Sequence, residues 1–184
     1  QMEGRFEVIH HSVFLEQLVA QGKLRPDAGN GLSEKIATYH DPCYIARHND
    51  IVDEPRRLLA STGVKSQEMK RCKKETFCCG AGGGHMWVEE SSGQHINHVR
   101  TEEASETGAD IVAVACPFCM QMFEDGVGSV PQAAEKGMQV LDLAELLDMS
   151  MTYSRLPAPA AASADAPAEK PPASDEGSGA ESGD

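Results

Sequence analysis

Gly108-Ala109-Asp110-Ile111-Val112-Ala113-Val114-Ala115-Cys116-Pro117-Phe118-Cys119 is the stretch that decides the fold class. Ile111–Ala115 is a short unbroken apolar run between a glycine and a proline. Such a run reads as a strand buried on both faces, as in a parallel sheet. Pro117 suits the first position of a helix, so a helix is expected from Cys116-Pro117 through about Glu124. Positions i and i+3 share one face of a first helical turn, which puts Cys116 and Cys119 side by side. The free N–H groups and positive dipole end at that turn stabilise thiolate or cluster charge.

Working outward, strands and helices alternate. Lys35–Tyr39 reads as a strand broken by Asp41-Pro42-Cys43, and Met138–Leu141 as another. Helices are expected around Val13–Val19 with Gly22 as stop, around Pro55–Ser61 with Gly63 as C-cap, over 92–107, and over Leu143–Met149. Residues 64–84 read as irregular. The pattern predicts an α/β domain over residues 1–154, a mainly parallel sheet flanked by helices with an irregular cysteine- and glycine-rich loop. Of residues 157–184, 21 of 28 are Ala, Pro, Ser or Gly, and none is aromatic or branched aliphatic. Such a segment buries too little apolar surface to offset its ordering entropy, so 155–184 is expected to be a disordered tail.

Cys43 follows its strand much as Cys116 follows Ile111–Ala115, so both are expected at one edge of the sheet, where α/β proteins place ligands. Between them lies Cys78-Cys79-Gly80-Ala81-Gly82-Gly83-Gly84. Adjacent cysteines make strained disulfides, but both thiolates reach one multi-iron centre if the backbone bends. Glycines permit that bend and bring main-chain N–H groups close to sulfur. Cys43, Cys78, Cys79, Cys116 and Cys119 are therefore the candidate ligands of an iron–sulfur cluster.

The bulk properties narrow the class further. The net charge is −13, of which −5 falls on residues 157–184, and this argues against nucleic acid as a partner. No signal peptide or membrane-spanning run is visible, so the six cysteines read as metal or redox residues rather than as a secreted disulfide scaffold. The chain opens on Gln1 and reads as the C-terminal piece of a longer protein.

From Tyr39 to Phe123 the sequence resembles a known family. Tyr39-His40-Asp41-Pro42-Cys43, Phe77-Cys78-Cys79-Gly80-Ala81-Gly82-Gly83, Asn97-x-x-Arg100 and Ala115-Cys116-Pro117-Phe118-Cys119 are similar to the cysteine-rich CCG domain found in heterodisulfide reductase. Iron–sulfur subunits of glycolate oxidase and anaerobic glycerol-3-phosphate dehydrogenase carry similar domains. Gly84-His85-Met86-Trp87-Val88-Glu89-Glu90 resembles a narrower group, the membrane-linked iron–sulfur reductases that pass electrons from electron-transfer flavoprotein to menaquinone. The Ala/Pro-rich acidic tail is similar to actinobacterial members. The resemblance implies a [4Fe-4S] cluster of the noncubane type on the five cysteines. It also implies upstream iron–sulfur and membrane domains, and a place on the cytoplasmic side of a membrane-associated protein. By the same resemblance this is part of an oxidoreductase that does not complete a catalytic cycle alone.

Two rival readings stay open. One is a zinc-stabilised docking domain, although zinc takes four ligands and the set offers five. The other is thiol–disulfide exchange at Cys116 and Cys119, which leaves the other three cysteines without a task. Cys72 reads as a free thiol whose pKa neighbouring Lys70, Arg71, Lys73 and Lys74 lower. His40 and His85 flank the site and read first as packing or capping residues, with a hydrogen bond to sulfur as the alternative. Arg100 and Asn97 share a helix face, which a surface helix explains, while the resemblance points Arg100 toward the cluster. Met86 and Trp87 read first as core or interdomain residues, with a place along an electron or quinone route as the alternative.

Overall fold

The computed structural model describes residues 4, 6–27, 29, 31–88 and 93–152. The expected tail at 155–184 lies outside the described residues, as does the domain boundary before it. Among the described residues a four-stranded, all-parallel sheet forms the centre, in the order β2-β1-β3-β4. Its strands are β1 (Ile36–Tyr39), β2 (Lys65–Ser66), β3 (Ile111–Val114) and β4 (Gln139–Asp142). Ala37, Thr38 and Tyr39 pair with Ile111, Val112 and Ala113. The seven helices among the described residues are α1 (His11–Ala20), α2 (Cys43–Ala46), α3 (Glu54–Ser61), α4 (Ile96–Ser105), α5 (Pro117–Ser129), α6 (Pro131–Lys136) and α7 (Leu143–Ser150).

The period-two rule sorts the core into two layers. Ile111 and Ala113 face one side, with Leu58 and Leu59 of α3 and Leu143, Leu146 and Leu147 of α7. Val112 and Val114 face the other, with Ala104 of α4, Phe123 of α5 and Ala133 of α6. All four β3 residues are buried, as a continuous apolar strand between helix layers requires. Helix α7 starts on a capping box: Asp142 Oδ1 accepts from the Ala144 N–H at 2.8 Å, and Glu145 accepts from the Asp142 N–H at 2.8 Å.

The strand and helix types expected from sequence stand, with shifted ends. Helix α4 begins at Ile96, and the expected start at 92 lies outside the described residues. Residues 64–84 are less irregular than read, because Lys65–Ser66 pairs with β1 as an edge strand. Helix α6 escapes a pattern reading because Pro131–Lys136 shows no apolar period, although Pro131 starts it and Gly137 ends it at φ 65°.

Helix α5 runs past the expected end at Glu124, through Gly126. Glycine weakens a helix interior, so its presence here has a packing reason. A Cβ at position 126 would overlap Thr101 Oγ1 and lie 3.2 Å from the Asn97 carbonyl oxygen on α4. Thr101 is fully buried and cannot swing away. Gly126→Ala is therefore expected to destabilise the fold by about 1–3 kcal/mol despite alanine's helix propensity. A lower thermal midpoint is the check, and an unchanged or higher one contradicts this packing.

Candidate metal centre

The connections after β1 and β3 leave in opposite directions. The chain passes from β1 through α3 to β2 on one flank, and from β3 through α5 and α6 to β4 on the other. The crevice between the C-terminal ends of two such strands is the usual ligand site of an open parallel sheet. Here it holds the cysteines. His40 continues the β1–β3 pairing, its N–H donating to the Ala113 carbonyl at 2.9 Å, and Asp41-Pro42 then turns the chain into α2, which begins at Cys43. Across the crevice, Cys116 precedes Pro117 and Cys119 sits in the first turn of α5.

Cys78 and Cys79 arrive on the loop between β2 and α4, and several cations fix that loop. The Arg71 guanidinium stacks on Phe77, 3.8 Å from the ring centre. Arg47 donates to the carbonyls of Lys74 and Thr76. Gly80 bends the chain at φ 97°, and its N–H donates to Cys78 Sγ at 3.3 Å. Only glycine suits that position, because a Cβ there would also press on Met122 and Ile96 at 3.2 and 3.3 Å.

All five predicted cysteines line one cavity of about 210 Å3, and all are free thiols. The sulfurs of Cys79 and Cys119 lie within 4.8 Å of each other, and the cysteines are near enough to shift one another's titration, Cys43 acting on Cys78 through its charge. The hydrogen bond from Cys119 holds Cys116 down at about 6, against burial, and the N–H groups of Cys119 and Phe118 assist. Cys79 is held well below the usual thiol range by Cys119 and Cys78, with burial opposing and His40 adding to the effect. Cys78 and Cys119 are pushed up, chiefly by the hydrogen bonds they donate to those thiolates. A cavity edged by five thiols, with main-chain N–H groups turned toward sulfur, fits the donor set of an iron–sulfur cluster.

Cys72 lies outside the cavity, and the reading of its chemistry needs correction. Burial pushes its thiol up, and the carboxylates of Glu68 and Asp41 add to the rise. The surrounding cations are engaged elsewhere: Lys73 with Asp53 at 3.8 Å, Lys74 with Asp50 at 2.6 Å, and Arg71 with Glu103 at 3.0 Å. Trp87 is not a core residue: it is 74 % exposed, lines the cavity and makes a T-shaped pair with Phe118.

Two residues near the sulfurs mean more than the sequence conveys. His40 is buried, and its ring nitrogen and the sulfurs of Cys79 and Cys119 lie within 4.8 Å of one another. Arg100 is fully buried and donates to His40 Nδ1 at 3.1 Å, to Thr76 Oγ1 at 3.2 Å and to the Arg71 carbonyl at 2.9 Å. Its charge is met by Glu103 at 2.8 Å. Its neighbour Asn97 instead holds α5, donating to the Met122 carbonyl and to Asp125. The signals for these roles in sequence are the place of His40 in Tyr39-His40-Asp41-Pro42-Cys43 and the Asn97-x-x-Arg100 motif.

Comparison with known proteins agrees with this geometry. Residues 37–124 match the family model described as CCG, cysteine-rich domain. The chain is 39% identical over 158 residues to the EtfAB:quinone oxidoreductase of Syntrophomonas wolfei, covering 82% of this chain and 21% of that protein. It is 43% identical over 146 residues to the "Probable iron-sulfur-binding oxidoreductase FadF" of Bacillus subtilis, covering 79% of this chain and 20% of the other. It is 35% identical over 147 residues to one polypeptide of the dihydromethanophenazine:CoB–CoM heterodisulfide reductase of Methanosarcina acetivorans, covering 79% of this chain and 35% of that polypeptide. The chain thus spans between a fifth and about a third of these relatives. Residues 37–124, just under half of the chain, thus match the CCG cysteine-rich domain.

Proposed function

We propose that Cys43, Cys78, Cys79, Cys116 and Cys119 hold a [4Fe-4S] cluster of the noncubane type, and that the domain carries electrons within a larger oxidoreductase. One observation carries this reading: five thiols from three separate chain segments line a single cavity. The bound cluster would supply one-electron redox chemistry. The chain's own part is to supply thiolates, exclude water through the buried Cys79 and Cys119, and donate hydrogen bonds to sulfur. The names of the relatives point to the redox partners. An electron-transfer flavoprotein is the proposed donor and menaquinone the proposed acceptor, consistent with relatives named for EtfAB and quinone and for iron–sulfur binding.

No helix among the described residues is long and apolar enough to cross a membrane. Upstream iron–sulfur and membrane domains, and a position on the cytoplasmic side, are proposed for the full-length protein. The fragment alone is not proposed to turn over substrate. A zinc-binding docking domain is the second reading, favoured by the buried His40, Cys79 and Cys119 group.

Stopped-flow mixing tests the electron-carrier role. Anaerobically iron-loaded protein is expected to lose part of its visible thiolate-to-iron absorption on meeting reduced electron-transfer flavoprotein, and to recover it on adding a menaquinone analogue. A loaded protein that responds to neither dithionite nor the flavoprotein would remove the electron-carrier role.

A further inference from the structure

His40, Cys79 and Cys119 look at first like three ligands of one metal. The environment of His40 argues for a different role. A neutral imidazole has one protonated and one bare nitrogen, and the bond made by one fixes the task of the other. Arg100 Nε donates to Nδ1 at 3.1 Å, and an arginine has no acceptor to offer in return. Nδ1 is therefore bare, and the ring proton belongs on Nε2. A protonated Nε2 is a donor and cannot bind a metal. Doubly protonated imidazolium is excluded for the same reason, because Nδ1 would then aim its own proton at the guanidinium.

The ring has little freedom to escape this arrangement. Phe123 packs edge-on against it, with ring centres 5.0 Å apart. Arg100 is held in turn by Glu103, by the Arg71 carbonyl and by Thr76 Oγ1, all on the loop or helix that frame the cysteine pair. The Cys79 sulfur lies within 4.8 Å of a His40 ring nitrogen.

We infer that Arg100 fixes His40 as an Nε2–H donor to the Cys79 sulfur, so that His40 positions and polarises a cluster ligand and is not itself a ligand. The inference rests on the reading of the cysteines as cluster ligands. A hydrogen bond to a ligand sulfur, with a buried cation behind it, favours the more negative, reduced state of the cluster. Arg100 is thus a positioning residue, and the buried charge has an electrostatic purpose beyond packing.

The test uses the full 184-residue chain, loaded with iron under anaerobic conditions. Pulsed EPR of the reduced wild-type protein with 15N-labelled histidine is expected to show only the weak nitrogen coupling of a hydrogen-bonded imidazole. His40→Leu and Arg100→Met are expected to keep wild-type iron content while their midpoint potential falls by tenfold or more in the one-electron equilibrium, at least about 59 mV. Arg100→Lys, which retains a cationic donor, should recover most of that loss. Strong coupling from a directly bound nitrogen would overturn the inference, as would unchanged potentials in iron-loaded variants. A wild-type chain that takes up no iron would instead defeat the cluster reading itself. The wild-type spectrum decides the matter even if a variant fails to fold.

Discussion

Cys79→Ser is expected to reduce bound iron to near zero and to abolish visible absorption, with the far-ultraviolet circular dichroism of the α/β fold retained. Cys79 is buried, its sulfur lies within 4.8 Å of Cys119 Sγ and of a His40 ring nitrogen, and the neighbouring sulfurs hold its pKa down. Serine offers a harder oxygen of far higher pKa, and a thiolate is what an iron–sulfur cluster requires at that position. The paired control is Cys72→Ser, outside the cavity, which should leave iron content and absorption unchanged. If Cys72→Ser and Cys79→Ser lose iron equally, the assignment of ligands is wrong. If Cys79→Ser keeps its full iron content, the sulfur at position 79 is not a ligand.

Asp41→Ala is expected to destabilise the protein by about 3–5 kcal/mol, because it breaks a network in which one buried carboxylate accepts three charge-assisted hydrogen bonds, two from the part-buried Arg56 and one from the Lys73 N–H. For a chain of this size that corresponds to a fall in thermal midpoint of roughly 10 °C or more. The carboxylate is 1% exposed and accepts from both terminal nitrogens of Arg56, at 2.8 and 2.9 Å. It also accepts from the Lys73 N–H at 2.6 Å, which ties the segment before Cys43 to the loop that carries the cysteine pair. Arg56 lies on α3 and also reaches Glu68 at 2.6 and 2.9 Å, so one ion-paired group joins three parts of the site's frame. Asp41→Asn keeps the shape and one acceptor oxygen and should fall between wild type and alanine. A midpoint in Asp41→Ala within a degree or two of wild type would show that Asp41 does not bear on the frame. Iron uptake should fall with stability in this variant, in contrast to Cys79→Ser, where the fold survives the loss of iron.

The elements that a local pattern determines are legible in sequence. Ile111–Ala115 reads as a buried strand because every residue is apolar, and the helix layers on both faces of β3 are the reason it has to be. The capture of Cys116 and Cys119 by a helix start follows from Pro117, and the bend at Gly80 follows from its glycine. The meeting of Cys43 with Cys116 is readable from two strands that each end in a cysteine turn, given a parallel sheet.

What depends on contacts distant in sequence is not legible. Arg100 reads as a surface residue from its spacing with Asn97, yet its partner His40 is sixty positions away across the sheet. The basic run around Cys72 suggests a lowered thiol pKa because sequence shows the lysines and hides the aspartates that engage them. The helix expected to end at about Glu124 continues through Gly126, whose packing against Thr101 of α4 is invisible in sequence. Residue type alone does not separate a core place for Trp87 from an interdomain or route-lining one, and the structure excludes the core by placing it, exposed, on the cavity lining.

The most direct test is metal and acid-labile sulfide analysis of the anaerobically purified chain, read with its visible spectrum. Five thiolates around one iron–sulfur centre predict a brown protein with about four irons, matching sulfide and little zinc per chain. A colourless protein holding one zinc and no sulfide would contradict the account.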